Sequence, residues 1–364
     1  MSMHSTQQTS NIGSSMTEGG EHVWDVDELK AGLDCPPELY SVEEVAGKGE
    51  GCLARRTIAC GSLVLRERPC CMSDPGRNNN RRKIETFLEL GKEGQENYLK
   101  LANKFDTGDW SNQMTTYLKA FTSEWEDMAF RNITKKTAVR VWQIWETNSF
   151  HNGVCLQMSR FNHSCQPSAE YFWNEDTETR DLRAVRVIEE GEEITIDYRG
   201  WEVETTEERR KVLKEAFNFD CGCIACDISE ENMQREMDKC EMFKAKKLQI
   251  QELKKLGQSE AKVKKEAKLR KDLYNLSKDI ATFGQIKLLE NIIEECFDVS
   301  CQGYASECMS LSATEDDKDD WMKDVVFFAS IGLVLASTIY GEDYYIVKEW
   351  QKRKEISNEH FVYV

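Results

Sequence analysis

The chain has 364 residues, 40% hydrophobic and 31% charged, with a formal net charge of −17 at pH 7. Such a length supports two or three domains, and the composition is that of a globular chain rather than a disordered or fibrous one. The acidic balance excludes a general phosphate-binding surface, although it would steer a basic, lysine-bearing peptide toward the molecule.

Residues 1 to 22 are rich in Ser, Thr, Gln and Gly and hold no apolar stretch, which predicts a disordered tail, drawn here as 1–34, and no secretory signal. The 14 cysteines then read as thiols and metal ligands in a reducing compartment rather than as a disulfide framework. From Tyr40 to Cys71 short apolar runs alternate with Gly, the pattern of strands and turns, and the polar stretch Ser73 to Arg82 closes that block. Ile84, Phe87, Leu88, Tyr98, Leu99 and Leu101, then Tyr117, Leu118, Phe121 and Trp125, recur at helical spacing and predict a helical insertion over about 83–146.

Strand signals return over Gly153 to Tyr198, where Leu182 to Ile188 and Ile194 to Tyr198 flank Glu189-Glu190-Gly191 and predict a β-hairpin. After Cys226 the pattern is helical, with a Lys-rich helix near 240–275 and apolar faces around 285–297 and 322–340. The acidic run Glu315 to Asp320 reads as a loop between helices. Val325 to Tyr340 is the longest apolar run, but it is short for a membrane span and carries Ser330, Gly332, Ser337 and Thr338, so a buried helix is expected and no membrane contact.

Cys221-Gly-Cys223-Ile-Ala-Cys226 places three soft ligands within six residues. Ordinary cores do not cluster thiols this tightly, and Zn²⁺ at a structural site takes four thiolates in a closed tetrahedron. Cys165 is the chosen fourth ligand, while spacing alone leaves Cys240 and Cys155 open. The remaining cysteines, including Cys70 and Cys71, read as structural.

Three further segments are Gly47-Lys48-Gly49-Glu50-Gly51, Arg160-Phe161-Asn162-His163-Ser164-Cys165-Gln166-Pro167, and Gly191-Glu-Glu-Ile-Thr-Ile-Asp-Tyr198. The first alone is a common Gly-rich turn. In this order, and followed by the cysteine cluster, they resemble the motifs of SET-domain protein-lysine methyltransferases. The stretch from Glu207 through Phe217-Asn-Phe219-Asp-Cys221 is similar to the SET and MYND family. The resemblance covers residues 40–226 and implies an α+β fold. That fold is a mostly β SET domain over 35–226 with the helical insertion, a zinc-binding post-SET segment at 217–226, and an α-helical C-terminal domain over 227–364.

The resemblance also implies S-adenosyl-L-methionine and Zn²⁺ as cofactors and a lysine-containing protein as substrate. Backbone groups of Gly49 and Gly51 can approach the cofactor closely because no Cβ intervenes, and Lys48 could meet its carboxylate. Asn148, within Thr147-Asn-Ser-Phe150, matches a cofactor-binding Asn of the family. Asn162 and His163 would hydrogen-bond the methionyl amine and the adenine, and Phe219 would stack on the adenine. Phe217 would line the lysine channel, and Tyr198 would orient the amine as the catalytic residue, with His163 excluded as a base. Zinc on Cys165, Cys221, Cys223 and Cys226 would tie the cofactor motif to the post-SET segment.

The family pattern is not complete. No Cys/His-rich finger lies between Cys71 and Trp142, so the MYND module is missing from this stretch; Ser168 stands where an Asn is usual, and Phe217 where a Tyr is frequent. A silent SET scaffold acting as an adaptor is the rival reading, against which the intact Tyr198, Asn162 and His163 speak. Lys244 to Lys271 holds eleven Lys or Arg against three Glu, which by default is a solvated helix face, and direct nucleic-acid binding is not expected. A monomer in the cytoplasm, the nucleus or both is expected.

Overall fold

In a computed structural model, which describes residues 39–73, 79–107, 112–128, 130, 132–199, 203–257, 259–280, 286–309, 315–342 and 344–362, the segment after Tyr40 forms strands and turns. The predicted tail at 1–34 lies outside the described residues, as does part of the polar stretch before Arg82. Strands β1 (Tyr40–Val45) and β2 (Gly49–Ala54) pair antiparallel, Val45 opposite Gly49. Gly47 and Gly49 supply the positive φ of the connecting turn, 74° and 75°. Strands β3 (Leu63–Glu67) and β4 (Cys71–Met72) follow.

The insertion is helical: α1 (Asn80–Glu89), α2 (Lys92–Leu99), a 3-10 turn (Lys104–Thr107), α3 (Asn112–Met128) and α4 (Lys135–Asn148). It has its own core, in which Trp142 of α4 meets Phe105 and Phe121 at ring separations of 5.6 and 5.3 Å. Each buried ring of this size contributes about 1.5–3 kcal/mol. Ala138, Val141, Trp142 and Trp145 form the buried stripe of α4, so the helix is fixed in rotation and presents Thr147 and Asn148 at its end to the β core.

Strands β5 (Ser149–Phe150) and β6 (Gly153–Val154) join β4 in a three-stranded sheet. β7 (Asn162–His163), β8 (Ala169–Asn174), β9 (Thr179–Ala184) and β10 (Glu193–Ile196) complete the β part. The hairpin predicted across Glu189-Glu190-Gly191 does not form. β9 instead pairs with β8 and β3, whereas β10 pairs antiparallel with β2 and parallel with β7. The turn itself is present, with Gly191 at φ 81° and the Glu192 amide donating to the Glu189 carbonyl. The chain crosses there from one sheet to the next, because the free edge of β2 takes up β10. That crossing matters: β10 sets Thr195 opposite Asn162 and Ile196 opposite His163, so two of the sequence motifs become neighbours.

The helix α5 (Thr206–Phe217) opens on a capping box of Thr205 and Glu208. It closes at Asn218, which adopts the left-handed conformation (φ 60°) that Asn tolerates better than most residues. Helices α6 (Glu230–Lys254), α7 (Glu260–Ile280), α8 (Ile286–Met309), α9 (Glu315–Tyr340) and α10 (Tyr345–Val362) make the C-terminal region. The acidic run at Glu315 is not a loop; it begins α9. By length and composition Lys318–Tyr340 could cross a membrane, yet Val325, Phe328, Ala329, Ala336 and Ile339 bury one face of it in the helical core. That core docks on β8 through Phe172, whose ring lies 4.9 Å from Tyr340 and 5.3 Å from Tyr344.

Candidate active site

Cys165 leaves β7 just after His163, and the αL turn at Asn218 sends the chain from α5 back toward it. The result is a cluster in which the sulfurs of Cys165, Cys221, Cys223 and Cys226 all lie within 4.8 Å of one another. Cys165 sits 3.9 Å from Cys221 and 3.5 Å from Cys226. A tetrahedral zinc with Zn–S bonds near 2.3 Å needs sulfurs about 3.8 Å apart, so the donor set and its spacing fit that ion. Cys240 lies instead in the C-terminal core and Cys155 in the β core. Hydrogen bonding from Cys165 draws the Cys221 and Cys223 thiols down, and the Cys221 contact pushes Cys165 up, the response of thiols crowded enough to share protons. Arg209 and Arg210 donate to the carbonyls of Ala225 and Cys226 at 2.8 and 2.7 Å, holding the knuckle and placing positive charge beside it.

Next to the cluster is a cavity of about 60 Å³ lined by Thr147, Asn148, Ser149 and Phe150 on one side and Phe161, Tyr171, Asp197, Tyr198 and Phe217 on the other. Tyr198 donates its hydroxyl to the Phe161 carbonyl at 2.7 Å. Its oxygen lone pairs are thereby left as acceptors, and burial pushes the phenol above its ordinary range, so it stays protonated. Phe217 packs its ring 5.0 Å from Tyr198. Asn148 spends its amide on the carbonyls of Ala102 and Ile144, both at 2.8 Å, which leaves Oδ1 as its spare acceptor.

Lys48, Glu50, Asn162 and Glu193 form a polar patch where β2, β7 and β10 meet. Asn162 donates to the Glu50 carbonyl at 3.0 Å and to the Glu193 carboxylate at 2.9 Å, while Lys48 pairs with the same carboxylate at 2.5 Å. Arg160 pairs with the Glu50 side chain. A Cβ on Gly51 would lie 2.7 Å from the Asn162 amide nitrogen, so only Gly lets that amide reach across β2. At Gly49 a Cβ would meet nothing within 4 Å, and the turn stands open.

His163 is buried at 5% exposure, and both ring nitrogens are engaged. Nδ1 accepts the Tyr198 backbone N–H at 3.1 Å, and Nε2 lies 3.2 Å from the Cys165 sulfur. Phe219 faces the same ring at 5.8 Å. The residues singled out in the sequence therefore gather in one region, with Asn162 and His163 between the polar patch, Tyr198 and the cysteines.

Several participants were missed. Glu193 sits inside a motif that had been singled out and was detectable as the carboxylate nearest Ile194. The Phe161 carbonyl carries no side-chain signal. Lys104, in the insertion, places its ammonium 5.5 Å from the centre of the Phe217 ring and donates to the Glu146 carbonyl at 2.7 Å. Burial lowers that amine to about 8. Nothing in the local pattern around Lys104 marks this contact.

Residues 49–199 match the family model described as SET domain. The chain is 30% identical over 202 residues to the histone-lysine N-methyltransferase set5 of Schizosaccharomyces pombe, a match covering 55% of this chain and 54% of that protein. It is 42% identical over 80 residues to the histone-lysine N-methyltransferase SMYD3 of Mus musculus, covering 22% of this chain and 18% of the relative. The chain thus spans about half the length of the first of these relatives and less of the second. The crystal structure of the SET domain of LSMT bound to lysine and AdoHcy aligns over 92% of this chain and 90% of its own at 12% identity and a TM-score of 0.38. Similarity to SET-domain lysine methyltransferases, the SET and MYND group among them, is established on the sequence matches.

Proposed function

We propose that the protein is an S-adenosylmethionine-dependent protein-lysine N-methyltransferase whose post-SET segment is held by one structural zinc. The observation that carries this reading is the small cavity shared by Tyr198, Phe217 and the end of α4, beside the four-cysteine cluster. A methylamine group is of the size such a space admits. S-adenosylmethionine, when bound, supplies a methyl group made electrophilic by its sulfonium.

This chain's residues then divide the remaining work. Gly49 leaves backbone open to the cofactor, Gly51 clears the space across which the Asn162 amide reaches, and Lys48 and Asn162 offer a cation and an amide oxygen for its amino-acid end. Both ring nitrogens of His163 being engaged, any hydrogen bond it gives the adenine is a main-chain one. Phe219 offers an aromatic face, and Asn148 an amide oxygen. The rings of Phe150, Phe161, Tyr171 and Phe217 exclude water from the incoming amine.

A lysine amine titrates near 10.4 in water and must lose its proton to attack. Desolvation favours that loss, and Lys104 against the same Phe217 ring shows the effect, lowered to about 8 chiefly by burial. Tyr198, kept protonated and already donating to Phe161, can only accept from the amine, which aims the nitrogen lone pair away from the phenol. It orients the nucleophile and does not serve as its base.

Incubation with methyl-labelled S-adenosylmethionine and a soluble proteome tests the proposal. Label should enter protein lysines with wild type and fall to near background with Tyr198→Phe. Cofactor binding without transfer to any protein would favour a silent scaffold instead.

A further inference from the structure

We propose that His163 is a positioning residue that couples metal occupancy of the cysteine cluster to the seat of Tyr198. The inference rests on the reading of that cluster as a zinc site. Its geometry is a two-ended bridge: the Tyr198 backbone N–H donates to Nδ1 at 3.1 Å, and Nε2 stands 3.2 Å from the Cys165 sulfur. A ring nitrogen that accepts from an amide carries no proton, so the neutral ring holds its proton on Nε2 and donates it to the sulfur. The Asp197 carboxylate, 3.5 Å from Nδ1, does not reverse this assignment, because a proton on Nδ1 would oppose the amide donor and because Arg199 already holds both Asp197 oxygens, at 3.0 and 2.6 Å.

The bridge is rigid at both ends. His163 lies on β7 opposite Ile196 of β10, two residues before Tyr198, and its ring is wedged between Tyr198 at 5.4 Å and Phe219 at 5.8 Å. A thiolate bound to a cation and accepting an N–H is the arrangement by which residues outside the ligand set orient a metal ligand. Displacing Cys165 must therefore move the imidazole, and with it the acceptor that fixes the Tyr198 main chain. Coupling of this kind is reciprocal: whatever fixes Tyr198 also tightens the metal site.

Two substitutions separate the ends. In His163→Asn the side-chain oxygen takes the place of Nδ1 and still accepts from Tyr198, but nothing reaches Cys165. In His163→Gln the amide nitrogen reaches the place of Nε2, but the Tyr198 N–H loses its acceptor. Zinc release to a chromogenic chelator, followed without any turnover, should be about 10–100-fold faster in His163→Asn, the usual range for an outer-shell loss, and near wild type in His163→Gln. With zinc in the buffer the order should invert for kcat, which falls further in His163→Gln than in His163→Asn.

Equal losses in both readouts for both variants would reduce His163 to a packing residue and overturn the coupling. So would wild-type zinc release in His163→Asn. Should wild-type protein hold no zinc, the metal reading falls and the coupling with it; a wild type that binds zinc with variants that release it alike refutes the coupling alone. If neither variant folds, selective ¹⁵N labelling of the 5 histidines in the wild type decides: an Nε2–H ring at His163 supports the bridge and an Nδ1–H ring refutes it.

Discussion

Replacing Tyr198 with Phe removes one oxygen and leaves a ring that still packs 5.0 Å from Phe217 and 5.4 Å from His163. The lost hydroxyl is the donor to the Phe161 carbonyl at 2.7 Å, and Phe161 is fully buried. A neutral hydrogen bond contributes about 0.5–1.5 kcal/mol net, and stranding a buried acceptor costs about 1–3 kcal/mol. The variant should therefore be less stable by about 1–2 kcal/mol, a melting shift of roughly 2–8 °C for a domain of this size. Turnover should suffer much more. Loss of one group that orients or stabilises the reacting atoms typically lowers kcat by about 10²–10³, or roughly 2.7–4 kcal/mol. The effect should fall on kcat rather than KM, since the apolar walls of the channel remain.

Single-turnover label transfer to a lysine substrate, paired with thermal melting and calorimetry of cofactor binding, separates these effects. Because burial keeps the phenol protonated above its ordinary pKa, the wild-type rate should rise with pH as the substrate amine loses its proton, without a Tyr198 limb near pH 10. A variant that melts as expected yet turns over within about threefold of wild type would refute the assignment of Tyr198 to the chemistry, since the catalytic loss expected is about 10²–10³.

Metal analysis of Cys221→Ser should show loss of stoichiometric zinc, exceeding the ~10–100-fold weakening expected of an outer-shell change, and full retention would remove this site from consideration. Wild type should add more than one methyl group, and Phe217→Tyr, by placing a hydroxyl in a cavity of about 60 Å³, should slow the second transfer by up to ~10-fold, read by mass spectrometry of the product. Glu67 is buried and raised to about 7 by desolvation, although it accepts the amides of Gln157 and Met158. A raised carboxyl favours the folded state most below about 4.5 and loses that contribution as pH climbs to about 7. Denaturation of wild type against Glu67→Gln should show the wild type falling behind by on the order of 2–3 kcal/mol between those limits, and a difference that is flat with pH would exclude the shift.

What could be read from the sequence followed from how local each feature is. Three of the cysteines announce themselves because they lie within one knuckle, and the strands and Gly turns after Tyr40 are set by alternation and by positive φ at Gly47 and Gly49. Period alone marked the insertion as helical over about 83–146, but the α4 stripe that carries Asn148 to the cavity was not read from it. The hairpin across Gly191 failed because pairing is decided by which edge is free, and β2 is distant in sequence from β10. The acidic start of α9 was read as a break between helices, although acidic residues are as much a signature of a helix beginning as of a loop. The acceptor for Tyr198 is a backbone carbonyl, which no residue letter encodes, and the engagement of the His163 ring by Cys165 depends on a χ angle rather than on spacing.

On the proposal that Lys48 meets the cofactor carboxylate, the polar patch would be closed in the free protein and still ready for that ligand. Lys48 is 45% exposed in its pair with Glu193, and exposed pairs of this kind contribute only about 0–1 kcal/mol. Turning Lys48 from Glu193 to an incoming carboxylate therefore costs little. Glu193 is not left bare by that exchange, because Asn162 continues to donate to its other oxygen at 2.9 Å. Gly51 makes that second bond possible, since any side chain there would collide with the Asn162 amide. Within this segment Gly47 and Gly49 serve by their positive φ, and Gly51 by clearing space for an amide that would go on steadying Glu193 if Lys48 changed partners.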